Sequence, residues 1–177
     1  DHGRPRRGDS GAVAARFAGR PPSSAAAREE GERIRSLLSR TEGEAAPLLR
    51  RELEAVLRAH FGLFKEAAGM KKGLAAIHAL RARYAGVMAR DKGRVFNLDL
   101  VHALELENLL DVAWMCAEGS LARRESRGGH FRMDHPRLDN DRFLKHTLLR
   151  RRPDGTMDLD YGNVTIEDVQ PEAEVKY

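Results

Sequence analysis

The sequence has 177 residues, of which 41% are hydrophobic, 33% charged and 6% aromatic, with a formal net charge of +4. This size allows one domain with a single core, and the few scattered aromatic side chains argue against a stacking platform for nucleic acid. No apolar run approaches the roughly 20 residues of a membrane span, and the Arg- and Gly-rich start does not match a secretory signal.

The single cysteine, Cys116, lies in an apolar helical run. One cysteine cannot form a disulfide framework within the chain, so a reducing compartment fits. We expect Cys116 to be a buried packing group and a poor nucleophile.

The predicted elements are mainly helical. Residues 1–22 are basic and rich in Gly and Pro, which predicts a flexible N-terminal segment. A first helix is predicted after a serine cap at Ser23 or Ser24, and a second has Pro47 in its first turn. A third helix follows, and Asn97 is predicted to cap a fourth.

The fourth helix is the most apolar segment, and it runs from Leu98 to Leu121. Because it is apolar on more than one side, it should be the most buried helix, covered by its neighbours or by an absent partner. After Pro136 the period changes to two, and a turn at residues 152–155 predicts a β-hairpin. The predicted division is therefore residues 1–22 as the basic segment, residues 23–127 as an antiparallel bundle of three to four helices, and residues 128–177 as a turn, hairpin and tail.

The stretch 122–136 holds four arginines, two histidines and two carboxylates. Gly128-Gly129 is predicted to end the fourth helix there. Basic residues at a helix C-terminus complement its dipole, and Glu125 and Asp134 can pair with the arginines internally. Guanidinium groups also suit carboxylate or phosphate ligands. The residues alone favour internal pairing over a ligand site.

Other chemistry is poorly supported. The sequence has no G-x-G-x-x-G, no P-loop and no cysteine cluster. The spacing of His130, Asp134 and His135 fits no strong metal-binding rule, and no base is implied near Ser126. We therefore predict no catalytic, cofactor-binding or metal-binding residue in this chain.

Several motifs in series resemble one known family. These are residues 91–100 (DKGRVFNLDL), 103–109 (ALELENL), 124–132 (RESRGGHFR) and 144–148 (LKHTL), followed by the hairpin and the closing residues 170–172 and 176–177. Together they resemble the C-terminal region of the flavoprotein subunit of succinate dehydrogenase and fumarate reductase, over roughly residues 44–177. The sequence departs from the family pattern at Gly129, Met133 and His135.

The resemblance implies an antiparallel helical bundle followed by an extended segment, in which the Arg-Gly-Gly-His turn faces the flavin-binding domain of the parent. The residues expected to dock on that domain are Arg123, Arg124, Arg127, His130 and Arg132. The parent would move a hydride between a four-carbon dicarboxylate and FAD in the tricarboxylic acid cycle, and pass electrons to an iron–sulfur subunit. It would lie in the cytoplasm, peripheral at the inner face of the membrane.

The family's dinucleotide fingerprint, flavin-linking histidine and catalytic side chains have no counterpart here, so we expect this chain alone to bind no FAD and to be inactive. Two alternatives remain open. The parent could be an L-aspartate oxidase, although Lys145-His146-Thr147 and the hairpin favour the dehydrogenase. The chain could also be a stand-alone helical module that binds an acidic partner.

Overall fold

The computed structural model describes residues 23–152, 154–168 and 170–171. The predicted segment 1–22 lies outside these residues. The chain divides into two compact units, Asp1–Ser36 and Leu37–Tyr177. Helix α1 (Ser24–Ser39) begins in the first unit, and its last three residues belong to the second. The Oγ of Ser23 accepts a hydrogen bond from the backbone N–H of Ala26 at 3.1 Å, which confirms the serine cap.

The second unit contains helices and short strands. The helices are α2 (Ala46–His60), α3 (Ala67–Tyr84), α4 (Leu98–Ala122) and the short α5 (Asn140–Phe143). The strands are β1 (Glu44–Ala45), β2 (Phe64–Lys65), β3 (Val87–Met88), β4 (Phe131–Arg132), β5 (Lys145–Arg151) and β6 (Met157–Asn163). The predicted fold class, mainly α with a C-terminal hairpin, is confirmed.

Local signals explain where the main helices begin. Pro47 lies in the first turn of α2, where its missing N–H costs nothing. The side chain of Asn97 accepts a hydrogen bond from the backbone N–H of Leu100 at 2.8 Å and so caps α4. Both predictions are confirmed. Gly69 lies in the first turn of α3.

The core lies between α2, α3 and α4, which pack against one another. Its buried side chains come mostly from single faces of these helices, and a fully buried aliphatic side chain contributes about 1.5–3 kcal/mol to folding. The buried core residues are Leu37, Ala46, Leu49, Leu53, Ile77, Leu80, Val87, Ala103, Leu106, Leu110, Ala113, Trp114 and Ala117.

Helix α4 is 25 residues long and only partly covered. Its inner face is buried, but Leu98, Val101, Leu109 and Val112 are exposed. Cys116 is exposed as well, so the expectation that it is buried is wrong. At 3.6 residues per turn, Cys116 lies five turns after Leu98 and therefore shares its outward side. No helix in the described part of the chain, α4 included, combines the length and apolarity needed to cross a bilayer.

Short strand pairs and the hairpin complete the unit. β1 pairs in parallel with β3, and β2 with β4, so the segment after α4 lies beside the segment before α3. β5 and β6 form the predicted antiparallel hairpin. The hairpin packs closely on α4, because a Cβ added to Gly119 would lie 2.9 Å from the Cδ1 of Leu149. Glycine at this position permits the close approach.

Candidate functional site: the arginine turn

The candidate site is the segment 123–135 that follows α4, hereafter the arginine turn. Helix α4 ends at Ala122, where the backbone N–H of Arg123 still donates to the carbonyl of Gly119 at 3.1 Å. The prediction that Gly128-Gly129 ends the helix is therefore wrong. The two glycines instead form a tight two-residue turn, which tethers the chain by reciprocal backbone hydrogen bonds between Arg127 and His130, 2.9 and 3.0 Å long.

Gly128 requires glycine for a conformational reason. Its φ is +54°, in the left-handed region that residues with a Cβ rarely adopt. Gly129 has no positive φ, and a Cβ added there would meet nothing within 4 Å. The structure thus has room for an alanine side chain at position 129.

Arg132 closes the C-terminus of α4 from within. Its guanidinium donates to the carbonyls of Ser120, Leu121 and Arg123 at 3.3, 3.2 and 3.0 Å, and its side chain is only 1% exposed. The last carbonyls of a helix carry partial negative charge and lack intrahelical partners. The helix-dipole role foreseen for the basic residues therefore falls to Arg132, ten residues beyond the helix end.

Asp134 is the anion that balances Arg132. The two side chains form a bidentate ion pair with both contacts at 2.8 Å. Asp134 also accepts a hydrogen bond from the backbone N–H of Ala67 at 3.0 Å, at the start of α3. The hydrogen bonds from Arg132 hold the pKa of the Asp134 carboxyl well below its usual range.

Glu125 is the second internal anion, and its side chain is completely buried. Arg127 donates to both of its oxygens at 2.9 and 3.0 Å, Arg123 donates to one of them, and the backbone N–H of Asp139 donates at 2.9 Å. Burial raises the pKa of Glu125, but the hydrogen bonds outweigh it and the net shift is downward. Arg127 also donates to the side-chain oxygen of Asn140 at 2.7 Å.

Arg123 connects the turn to the hairpin. Its guanidinium donates to the carbonyls of Phe143 and Lys145 at 2.8 and 2.7 Å, and to the hydroxyl of Thr147 at 3.0 Å. It also lies over the ring of Phe143, 5.7 Å from the centroid. Arg123 is thus a clamp between α4, α5 and β5.

His130 is half-buried beside this network. Its Nε2 lies 3.2 Å from the carbonyl of Arg123. Burial lowers the pKa of His130, and the nearby positive charges of Lys65 and Arg132 lower it further, although the Arg123 carbonyl opposes them. The imidazole is therefore neutral at pH 7.

Lys65 and Ser126 are buried in the same region. The Lys65 amine donates to the carbonyl of Gly62 at 3.1 Å, and burial, followed by the charge of Arg132, lowers its pKa. The Ser126 hydroxyl accepts from the backbone N–H of Arg132 at 2.8 Å and donates to the carbonyl of His135 at 2.9 Å. The Ser126 hydroxyl thus links two backbone groups of the turn.

Arg124 differs from the other arginines of the turn. It is exposed, and among the described residues it has no hydrogen-bond or ion-pair partner. It lines a cleft of about 370 Å³ between the start of α3 and the end of α4, together with Lys71, Arg132 and His135. Arg124 therefore offers the one guanidinium of positions 123–135 that is free for another molecule among the residues described.

An apolar patch, hereafter the phenylalanine patch, adjoins the turn. Phe64 of β2 and Phe131 of β4 stack edge to face with centroids 5.5 Å apart. Phe64 is 68% exposed, Leu63 60% and Met133 52%. Aromatic and methionine side chains next to arginine are typical of the core of a protein interface.

The structure thus brings the five predicted docking residues together, but most of them point inward. Arg132 is buried and Arg124 alone is exposed, in agreement with the internal pairing that the residues favoured. The guanidiniums of Arg123 and Arg127 donate hydrogen bonds to Glu125 and to neighbouring oxygens. The reason is that Glu125 and Asp134 lie within two residues of their partners, so pairing costs little chain entropy. Sequence analysis missed Lys65 and Phe64, which precede α3 and join the site through the β2–β4 pairing.

The turn differs from a dinucleotide-binding loop. Such a loop precedes a helix and presents free backbone N–H groups, whereas Gly128-Gly129 follows α4, and the N–H groups of Arg127 and His130 on either side each donate to the carbonyl of the other residue. Across residues 23–152, 154–168 and 170–171, no group of His, Cys, Asp and Glu side chains is arranged to hold a metal ion.

Comparison with known proteins identifies the family. The family model described as fumarate reductase flavoprotein C-term matches residues 50–177. This chain belongs to that family. The region matched contains α4, the arginine turn and the hairpin.

Individual relatives agree with the family. The chain is 40% identical over 152 residues to a fumarate reductase flavoprotein subunit of Mycobacterium tuberculosis, covering 83% of this chain and 26% of the relative. It is 36% identical over 124 residues to a succinate dehydrogenase flavoprotein subunit of Rickettsia conorii, covering 70% and 21%. A structure of E. coli quinol fumarate reductase superposes with a TM-score of 0.81 at 32% identity, covering 93% of this chain and 29% of that chain. This chain thus spans about a quarter of the length of the relatives it matches.

Proposed function

We propose that this chain is the C-terminal helical domain of a succinate dehydrogenase or fumarate reductase type flavoprotein subunit, which packs against the flavin-binding part and has no catalysis of its own. The observation that carries the proposal is the family match over residues 50–177. The domain would contribute packing and positioning to the parent.

The docking surface in this proposal combines the arginine turn with the phenylalanine patch. Arg124 and His130 meet the flavin-binding part directly, flanked by Phe64 and Met133. Arg123, Arg127 and Arg132 contribute by fixing the shape of the turn through their internal pairs. A rigid, pre-shaped turn loses little entropy on binding, which favours a tight interface.

The proposed parent transfers a hydride between a four-carbon dicarboxylate and FAD, and passes the electrons to an iron–sulfur subunit. No residue of this chain is assigned to those steps. The parent complex lies at the inner face of the cell membrane, and this domain is peripheral there. The relatives are fumarate reductase and succinate dehydrogenase subunits, so the dehydrogenase parent is preferred to the aspartate oxidase.

The internal pairing also counts against a stand-alone anion-binding module. Glu125 and Asp134 form ion pairs with three of the four guanidiniums of the turn. An anion would have to displace these buried pairs, and breaking a buried pair is costly. Arg124 alone provides a single exposed guanidinium, which is a weak binding site for an acidic ligand.

Two experiments test the proposal. Genomic DNA upstream of the codon for Asp1 should continue the reading frame and encode a glycine-rich dinucleotide fingerprint; an in-frame stop without that fingerprint would contradict the assignment. The purified chain incubated with FAD should remain colourless and should not oxidise succinate, whereas retained flavin absorbance would assign a cofactor role to this chain.

A third measurement addresses the docking surface. In the full-length protein, Arg124→Glu combined with Phe64→Ser should weaken attachment of the domain and reduce retained FAD. The matched control is Arg51→Glu, which alters an exposed arginine of α2. Equal flavin retention in both variants would remove the turn and patch from the interface.

A further inference from the structure

The loop that leads into α4 carries a second exposed apolar cluster, hereafter the Phe96 knob. It consists of Val95, Phe96, Leu98 and Val101. Phe96 is 93% exposed and Val95 74%, so these side chains touch little of their own chain. Large apolar side chains clustered on a surface are typical of an interaction site.

The backbone under the knob is held in an unusual conformation. Phe96 has a φ of +53°, in the left-handed region, although it carries a large side chain. Its carbonyl accepts a hydrogen bond from the backbone N–H of Leu98 at 2.9 Å. Such a conformation persists only where neighbouring contacts impose it, and it often accompanies a functional surface.

Three side chains of the loop impose this conformation. The Asn97 amide donates to the carbonyls of Asp91 and Gly93 at 2.8 and 2.9 Å, while its oxygen caps α4. The Asp99 carboxylate accepts from the backbone N–H groups of Arg90 and Asp91. Asp91 in turn accepts from the N–H of Gly93 at 2.7 Å. The knob is therefore pre-shaped rather than free to collapse onto the chain.

The charge around the knob indicates what it meets. Arg90 and Arg94 are exposed, and within the described residues neither guanidinium has a partner. The carboxylates of Asp91 and Asp99 are engaged by backbone N–H groups, as just described. An aromatic knob flanked by two free guanidiniums complements an apolar pocket with carboxylates at its rim.

We propose that the Phe96 knob docks into an apolar pocket on a protein partner, with acidic side chains at the rim facing Arg90 and Arg94. This goes beyond the proposed function, because the knob lies at the N-terminal end of α4 and the arginine turn at its C-terminal end. The 25 residues between them span about 37 Å at 1.5 Å per residue. The two surfaces therefore lie at opposite ends of α4.

Other occupants fit the knob less well. A lipid surface would not select one backbone conformation, whereas this loop is fixed by specific hydrogen bonds. A second copy in a two-fold contact would place Arg90 and Arg94 near the same residues of the other copy, and like charges there oppose association. A shaped acidic pocket on a different polypeptide satisfies both observations.

The test is a photo-cross-link from position 96. Phe96 is replaced by the photoreactive residue p-benzoyl-phenylalanine in the full-length protein, which is purified in its native assembly, irradiated and mapped by mass spectrometry. The expected product joins position 96 to a segment of another protein that is apolar and bordered by Asp or Glu. Reversing both charges, with Arg90→Glu and Arg94→Glu, should lower the yield by about tenfold.

The controls separate this proposal from the previous one. The same photoreactive residue at Leu48, an exposed apolar position of α2, should not label that segment. The same photoreactive residue in place of Arg124 identifies the contacts of the arginine turn independently. Absence of a cross-link from position 96, a cross-link to phospholipid or to the same loop of another copy, or a yield unchanged by charge reversal would each overturn the proposal.

Discussion

The guanidinium of Arg132 and the carboxylate of Asp134 form an ion pair that joins two helix ends. Arg132 binds the last carbonyls of α4, and Asp134 binds the first N–H of α3. Their two mutual contacts, both 2.8 Å, complete a continuous path from one helix terminus to the other. Positive charge thus meets the negative end of one helix dipole, and negative charge the positive end of the other.

Replacing Asp134 tests this connection. Asp134→Asn keeps the shape but leaves the buried guanidinium without its anion, so the free energy of unfolding should fall by about 1.5–3 kcal/mol. Because the native pKa of Asp134 lies below its ordinary value of 3.8, its contribution is present above that value and is lost as the pH falls through the native pKa. Urea unfolding should therefore show less stability loss below about pH 4 in the variant. An identical acid profile would show that the pair does not stabilise the fold.

His130 predicts a second pH dependence at milder acidity. Its pKa is lowered from the ordinary 6.5 by burial, so the unfolded chain takes up a proton before the native chain does. Stability should fall as the pH drops below about 6.5, until the native pKa is reached. His130→Gln should reduce that loss. Urea midpoints at about pH 7.5 and about pH 5.5 provide the measurement, with His102→Gln as an exposed control.

The two glycines of the turn offer a matched pair of substitutions. Gly128→Ala should cost about 1–2 kcal/mol, because an L residue is strained at positive φ. Gly129→Ala should be neutral or should stabilise by about 0.4–1 kcal/mol, since it restricts only the unfolded chain. Thermal or urea unfolding of both variants measures the difference. Equal losses at both positions would contradict the turn geometry.

Arg123 should control how firmly the hairpin is held. Arg123→Lys keeps the charge but loses the planar fork that reaches Phe143, Lys145 and Thr147 together. Amide hydrogen exchange in β5 should accelerate, while exchange in the core of α3 should change little. Arg142→Lys, at a largely exposed ion pair with Asp139, is the control. Unchanged exchange in β5 would exclude the clamp.

Cys116 should react readily in the native chain. It is exposed on the outward side of α4, so a thiol reagent should modify it fully without denaturant. The rate should be close to that of the chain unfolded in urea, because reactivity follows access once the thiolate is available. Protection that is lost only on unfolding would restore the original expectation of a buried thiol.

The sequence predicted the architecture well because its main signals are local. The cap at Asn97, the proline at position 47 and the two-residue period of the hairpin each determine structure from a few adjacent residues. The fold class and family follow from these signals together with the order of the motifs.

The interior of the arginine turn was harder to predict, because its partners come from several elements. The glycine pair looked like a helix end, but Arg132 supplies the cap and the chain leaves the helix at Ala122 instead. The acids that neutralise the arginines were identified, yet the burial of Glu125 depends on Asp139 and the packing around it. Exposure of Cys116 depended on which face of α4 its neighbours cover, and the helix is apolar on both.

The complete use of the Glu125 carboxylate limits how this corner can change over time. Each of its oxygens is committed, to Arg127, to Arg123 or to the N–H of Asp139. Loss of Glu125 would leave Arg123 and Arg127 without the buried anion that they share, so replacement of Glu125 requires changes at its partners as well. Among related sequences, substitutions at positions 123, 125 and 127 should therefore occur together or be absent. Substitutions at position 124 should occur independently of them.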